Sequence, residues 1–294
     1  MPVTPLSARR GAANIIDFLG QSFERAPIDA RIASLVPSLT ETLVGLGLAA
    51  QMVARTGFCI HPAAAVRAIP KVGGTKDVNL VRLRDLAPTH VLVNVDENTR
   101  EAMDQLRAFV PHVVVTHPQR PDDNLALFNL LGTLFSTTAG VQERARALHD
   151  QLGCKLRAMR MHSWPRQRVL YVIWREPWMT VARDTYIANT LAEVGWQTLP
   201  DVEGGDGLRC AGATRYPAFD WSAPWLREVD LVLLASEPYR FGTAHVEATR
   251  RLLEAKGLKA SVRLIEGEWA SWYGIRALRS LPQLAQFAAA LPQT

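Results

Sequence analysis

The chain has 294 residues, 48% of them apolar and 21% charged, with a formal net charge of +5. That size suits two domains of about 150 residues with ordinary cores, and excludes a disordered chain. The basic residues are scattered and give no stripe for nucleic acid. The three cysteines, Cys59, Cys154 and Cys210, form neither a disulfide framework nor a paired zinc pattern, and no run of about 18 apolar residues exists to span a bilayer.

Residues 1–30 read as an N-terminal extension. Ala12, Ile15, Ile16, Leu19 and Phe23 fall on one helical face, which predicts an amphipathic helix over 12–25. Asn14, Asp17 and Gln21 interrupt the unbroken apolar segment of about 7–15 residues that an export signal needs after Arg9-Arg10. The expectation is a cytoplasmic protein; a periplasmic one requires an upstream start.

A first α/β lobe follows, over 31–138. Arg31 to Val36 reads as a strand, and Ser38-Leu39-Thr40-Glu41 as a capping box, so Glu41 is expected to cap a helix through Leu46. Met52 to Arg55 is a second strand, leading into the loop Thr56-Gly57-Phe58-Cys59-Ile60-His61-Pro62. Gly73-Gly74-Thr75-Lys76 lacks the upstream glycine of a phosphate loop and reads as a plain turn. Helices are expected over 79–86, 98–110 and 122–135, with strands over 90–95 and 112–115.

From Ala139 to His162 apolar residues recur at three- and four-residue steps: Val141, Ala145, Leu148, Leu152, Leu156 and Met159. That is the period of one long amphipathic helix, rising about 1.5 Å per residue. It is read as a rigid backbone over 139–163 joining two similar lobes; the alternative is one more surface helix in a single α/β domain. The second lobe, 164–294, repeats the alternation. Strands are expected over 168–174, 230–234 and 261–265, and helices over 185–194, 221–227, 244–255 and 275–291. A glycine-rich loop covers 201–212. Alternating strands and helices predict parallel sheets, with ligands outside the carboxyl ends of the strands.

All eight tryptophans and all five tyrosines lie after residue 160. Trp174, Trp178, Tyr216, Trp221, Trp269, Trp272 and Tyr273 sit near predicted strand ends. Core packing accounts for any one of them; together they suggest an aromatic wall for a large ligand. No nucleophile elbow, Walker loop, dinucleotide fingerprint or His-Glu-x-x-His motif is present. Cys59 and His61 are too few for a closed metal site.

Several stretches resemble one family in order: Arg31 to Glu41, Gly57 to Pro62, Gly73-Gly74, Asn79-Leu80 and Leu86 to Val93. In the second half Trp174-Arg175-Glu176-Pro177, Ser236-Glu237-Pro238-Tyr239 and Gly267 to Gly274 continue the series. Together they resemble the helical-backbone metal receptors, the class III solute-binding proteins for vitamin B12 and ferric siderophores. The resemblance implies an α/β fold of two Rossmann-like lobes joined by one long helix, with a ligand cleft between the lobes. It places the pocket at Phe58, His61, Trp178, Tyr216, Glu268 and Trp272. Trp269 joins this set from the aromatic clustering, and Arg175 as a partner for a ligand carboxylate or phosphate. The expected ligand is a bulky metal chelate, cobalamin or another corrinoid first, bound by a monomer without catalysis, cofactor or resident metal. Asn94 and Thr75 stand where B12 binders of this family carry aromatics. Permease-docking glutamates of the family fall at Val81 and near Ala223-Pro224, and neither position is acidic here. The rival expectations are an ABC-importer subunit for B12, haem or a ferric siderophore, and a chelatase-like enzyme using His61 and Glu268.

Overall fold

The structure is a computed structural model, described here over residues 15–205 and 214–291. It opens with a short antiparallel hairpin, β1 (Ile15–Ile16) and β2 (Ser22–Phe23), in place of the expected helix. The reason is local. The Asp17 carboxylate accepts from the backbone N–H groups of Leu19 and Gln21, and its other oxygen accepts from Val115 N. Gly20 takes the positive φ of +84° that closes the turn. Ile15 and Phe23 pair across the hairpin and are both buried, while Ile16 and Leu19 face outward. Residues 12–14 of the expected helix lie outside the described residues.

The first lobe comprises β3 (Ile32–Ser34), α1 (Pro37–Gly45), β4 (Met52–Arg55), α2 (Ala63–Val66), α3 (Leu80–Asp85), β5 (His90–Asn94), α4 (Arg100–Arg107) and β6 (His112–Thr116). Its sheet has the order β4-β3-β5-β6, all parallel. Then α5 (Asp123–Leu134) and α6 (Val141–Arg160) lead across to the second lobe. That lobe holds β7 (Gln167–Val172), α7 (Tyr186–Ala192), β8 (Trp196–Thr198), β9 (Leu231–Ala235), α8 (Thr243–Ala255), β10 (Ser261–Ile265), α9 (Glu268–Ser271) and α10 (Ala277–Ala289). Its sheet runs β10-β9-β7-β8, again parallel. Both sheets share one wiring. The second strand flanks the first on one side, the third flanks it on the other, and the fourth lies outermost. The crossover direction therefore reverses between β3 and β5, and between β7 and β9. Those two switch points are where parallel sheets leave a crevice at their carboxyl ends.

Helix α6 lies inside the expected spine, starting two residues later and ending three residues earlier. Val141 and Ala145 belong to the core of the first lobe, and Leu152, Leu156 and Met159 to that of the second. Leu148 packs against both. Helix α5 lies so close to α6 that a Cβ on Gly132 would sit 2.4 Å from Ala145 Cβ, so only glycine fits.

Three further expectations are corrected. Glu41 caps nothing: α1 starts at Pro37 after an extended Val36, with no side-chain cap. Proline at the first helical position already lacks one of the N–H groups a cap would satisfy. The expected helix at 221–227 is a 3-10 turn, Pro224–Glu228. Strand β8 was missed because it spans three residues and ends at Leu199-Pro200. The glycine-rich loop is described only as far as Gly205.

A second joint ties the lobes together. The turn Gly274–Arg276, between α9 and α10, plugs into α1. Ile275 N donates to Thr42 Oγ1 at 3.1 Å, and Gly274 N donates to Asn124 Oδ1. Gly274 has φ +73°, and a Cβ there would lie 2.1 Å from Thr42 Oγ1. Arg276 is buried and its Nε donates to Glu41 Oε2 at 2.6 Å, so Glu41 serves the lobe–lobe joint.

Candidate ligand-binding cleft

The carboxyl ends of the two sheets face one another across this joint. From the first lobe, β4 delivers the loop carrying Phe58 and His61. From the second, β10 runs through Glu266 and Gly267 into α9, which carries Glu268, Trp269 and Trp272 at its end. His61 and Glu268 meet across the gap, Nε2 to Oε1 at 3.8 Å. The His61 ring stands edge-to-face with Trp272, centroids 5.8 Å apart. Arg276 stacks its guanidinium 4.0 Å from the Trp272 centroid and pairs with Glu268. Burial, helped by the Arg276 charge, pushes the His61 imidazole below its ordinary pKa, so the ring is neutral near pH 7. Phe58, three residues before His61 on the same loop, is 63% exposed, an unusual state for a large apolar side chain.

The floor is polar. β5 ends in Val95-Asp96-Glu97, and the equivalent strand β9 ends in Ser236-Glu237. Asp96 meets Arg215 of the second lobe, Oδ1 to Nε at 2.6 Å, and His117 at 3.7 Å. Burial would raise the Asp96 carboxyl, but the His117 hydrogen bond and the Arg215 charge outweigh it and hold it low. Lys76 Nζ donates to the Asp96 carbonyl at 2.8 Å. Burial pushes Glu97 up to about 7, with the Asp96 and Glu237 charges adding to the effect. Glu237 is also raised by burial, although Ser271 Oγ and Trp272 Nε1 donate to its Oε1 at 2.6 and 2.7 Å.

The sequence-derived residues divide. His61, Glu268 and Trp272 come together at the meeting of the lobes, and Phe58 is exposed on the same loop as His61. Tyr216 is half-buried next to Arg215, and burial raises its phenol. Arg175 lies 5.7 Å over the Trp178 ring and pairs with Glu176 at 3.3 Å. Trp178 is itself boxed in, stacked on Phe241 at 6.2 Å and edge-on to Trp221 at 5.3 Å. Trp269 packs edge-on against Phe287 of α10 and belongs to the core of the second lobe. Of the aromatic wall expected from clustering, Trp221 and Tyr273 are buried, Trp178, Tyr216 and Trp269 pack partly buried against the core of the second lobe, and Trp174 is exposed. Sequence reasoning missed Asp96, Glu97, Glu237, Arg215 and Arg276. The acids were findable, because each directly follows a strand whose end was anticipated. The arginines were not, because their partners come from the other lobe.

Cys59 is fully buried beneath its loop, 3.1 Å from Thr56 Oγ1, with its thiol raised by burial, while His61 is partly exposed and meets Glu268. Among the described residues no three His, Cys, Asp or Glu side chains are grouped to hold a metal ion. Val81 is exposed on α3, and the acids nearest Ala223 are engaged locally, Asp220 with Ser222 and Glu228 with Arg168. No described helix is long and apolar enough to cross a membrane.

Comparison with known proteins fits this geometry. The fold matches the periplasmic vitamin B12 binding protein BtuF of Vibrio cholerae with a TM-score of 0.70 at 17% identity, covering 88% of this chain and 96% of that one. A periplasmic heme binding protein from Pseudomonas aeruginosa matches at TM-score 0.67 and 23% identity, over 90% and 94%. An ABC transporter substrate-binding protein from Listeria monocytogenes matches at 0.68 and 14%, over 87% and 96%. No curated protein matches the sequence. The expectation of a cytoplasmic location gains no support from these likenesses, and the helix it leaned on is a hairpin. The family model described as "Periplasmic binding protein" matches residues 32–236, more than two thirds of the chain, and the chain belongs to that family.

Proposed function

We propose that this protein binds a bulky planar metal chelate between its lobes, a corrinoid first, and that it catalyses no reaction. The observation that carries this reading is the meeting of His61 and Trp272 from opposite lobes, with the exposed Phe58 on the His61 loop. Two aromatic groups supply stacking area for a flat ring. The neutral His61 imidazole beside Trp272 offers a lone pair to a metal centre held in that ring. Glu268 at the same point accepts hydrogen bonds. The fold likeness to a vitamin B12 binding protein supports the ligand class, and the likeness to heme binding proteins makes haem the second reading. The family and the likeness to an ABC transporter substrate-binding protein support delivery to a membrane permease from the periplasmic side. Neutral residues at Val81 and Ala223 mean that such docking would rest on contacts other than a pair of glutamates.

The ligand class is tested by difference absorption spectra with aquocobalamin and with haem, each of which has an exchangeable axial position. Binding with a spectral shift that is lost in His61→Ala supports the reading. Flat spectra and unchanged tryptophan emission with both would overturn it. Turnover of metal insertion by the native protein would instead favour the chelatase alternative.

A further inference from the structure

The cleft floor has a sign. Strands β5 and β9 occupy equivalent positions in the two sheets, and each ends in a carboxylate, Glu97 and Glu237. Asp96 lies beside the first. The cations near the floor are already engaged among the described residues. Arg215 faces Asp96 at 2.6 Å and Asp184 at 3.8 Å. Arg276 holds Glu41 and Glu268. Lys76 is tied to the Asp96 carbonyl and is itself depressed by burial.

A second observation points to something polar arriving from outside. Tyr273 is 4% exposed, and its buried hydroxyl is directed at the Glu97 carboxylate, which it helps hold down against burial. It lies close to Glu97 and to Thr116 at the end of β6. Glu237 Oε1 takes both donors that reach it, from Ser271 and Trp272, and leaves Oε2 for another. Acceptors thus dominate what the floor presents.

Resting on the reading of the cleft as a chelate site, we infer that Glu97 and Glu237 set its charge selectivity. They favour a ring whose rim carries uncharged hydrogen-bond donors such as carboxamides, and reject one whose rim carries free carboxylates. A ligand carboxylate would face like charge in a half-buried setting where screening is weak. A carboxamide would find acceptors. This separates the two candidate ligands on chemistry, because corrinoid rims carry amides and haem carries two propionates.

The test compares matched pairs: cyanocobalamin against its monocarboxylate analogue, and haem dimethyl ester against haem, by tryptophan quenching at pH 8. The uncharged member of each pair is expected to bind about tenfold more tightly, the size of one poorly screened like-charge contact. In Glu97→Gln and Glu237→Gln the ratio should fall below about threefold as a charge is removed. Thermal melts of both variants check folding, and the native protein alone already yields the decisive ratio. Equal or tighter binding of the acid members, or ratios that ignore both substitutions, would overturn the inference and leave the chelate reading standing. If none of the four probes binds, the chelate reading fails and the inference falls with it.

Discussion

The two lobes share one strand order and yet are built differently. In the first, the sheet begins with a stacked pair: His90 on β5 and His112 on β6 are in register, with ring centroids 4.6 Å apart. The matching pair in the second lobe is Leu231 and Ser261. The first lobe has no tryptophan or tyrosine, and the second has all of them. Most of those rings fill the second core, in the box of Trp178, Trp221 and Phe241 and in the Trp269–Phe287 contact. Aromatic abundance therefore marks how a lobe is packed, and the cleft takes only what strand ends deliver into it. Each lobe contributes a carboxylate after its third strand, but the rings come from non-equivalent places: His61 after the second strand, β4, and Trp272 after the fourth, β10.

The largest expected effect comes from separating the lobes. Arg276 is 2% exposed and holds Glu41 of one lobe and Glu268 of the other. Arg276→Met strips Glu268 of its arginine and leaves Glu41 only the exposed Arg279, and unfolding in urea should show a loss of about 3 kcal/mol. A loss below about 1 kcal/mol would mean that α5 and α6 alone fix the lobes.

A smaller effect should distinguish the lobes by pH. Burial, with the His112 charge adding to it, pushes His90 down to about 4 from 6.5. A depressed base binds its proton less readily in the folded state. Its contribution is present above pH 6.5 and is lost as pH falls through about 4. The loss approaches about 3 kcal/mol. Amide exchange should show the first sheet opening before the second across that window, and His90→Gln should flatten the difference. Simultaneous opening would contradict an acid weak point in the first lobe.

Much of the fold was legible in the sequence. The spine announced itself because six apolar residues kept helical spacing across it, a signal that owes nothing to distant partners. The parallel sheets followed from alternation. The hairpin at 15–23 was misread because its apolar residues also fit a helical face; the side chain of Asp17 and the positive φ of Gly20 decided otherwise. Glu41 matched a capping pattern whose residues were present, yet Pro37 took the cap's place and Arg276, far along the chain, took the carboxylate. The cleft was legible where its residues sit on one loop, as with Phe58 and His61. It was hidden where it depends on Asp96 finding Arg215, a pairing that only the docking of two lobes creates.

The central claim is that the cleft between the lobes, and not the aromatic core of the second, receives the ligand. Titration of Trp272→Phe and Trp269→Phe with cyanocobalamin, followed by tryptophan emission, tests it most directly. The quench should shrink markedly in Trp272→Phe, whose ring faces His61, and persist in Trp269→Phe, whose ring packs on Phe287. Equal quenching in the two variants, or a larger loss in Trp269→Phe, would contradict the account.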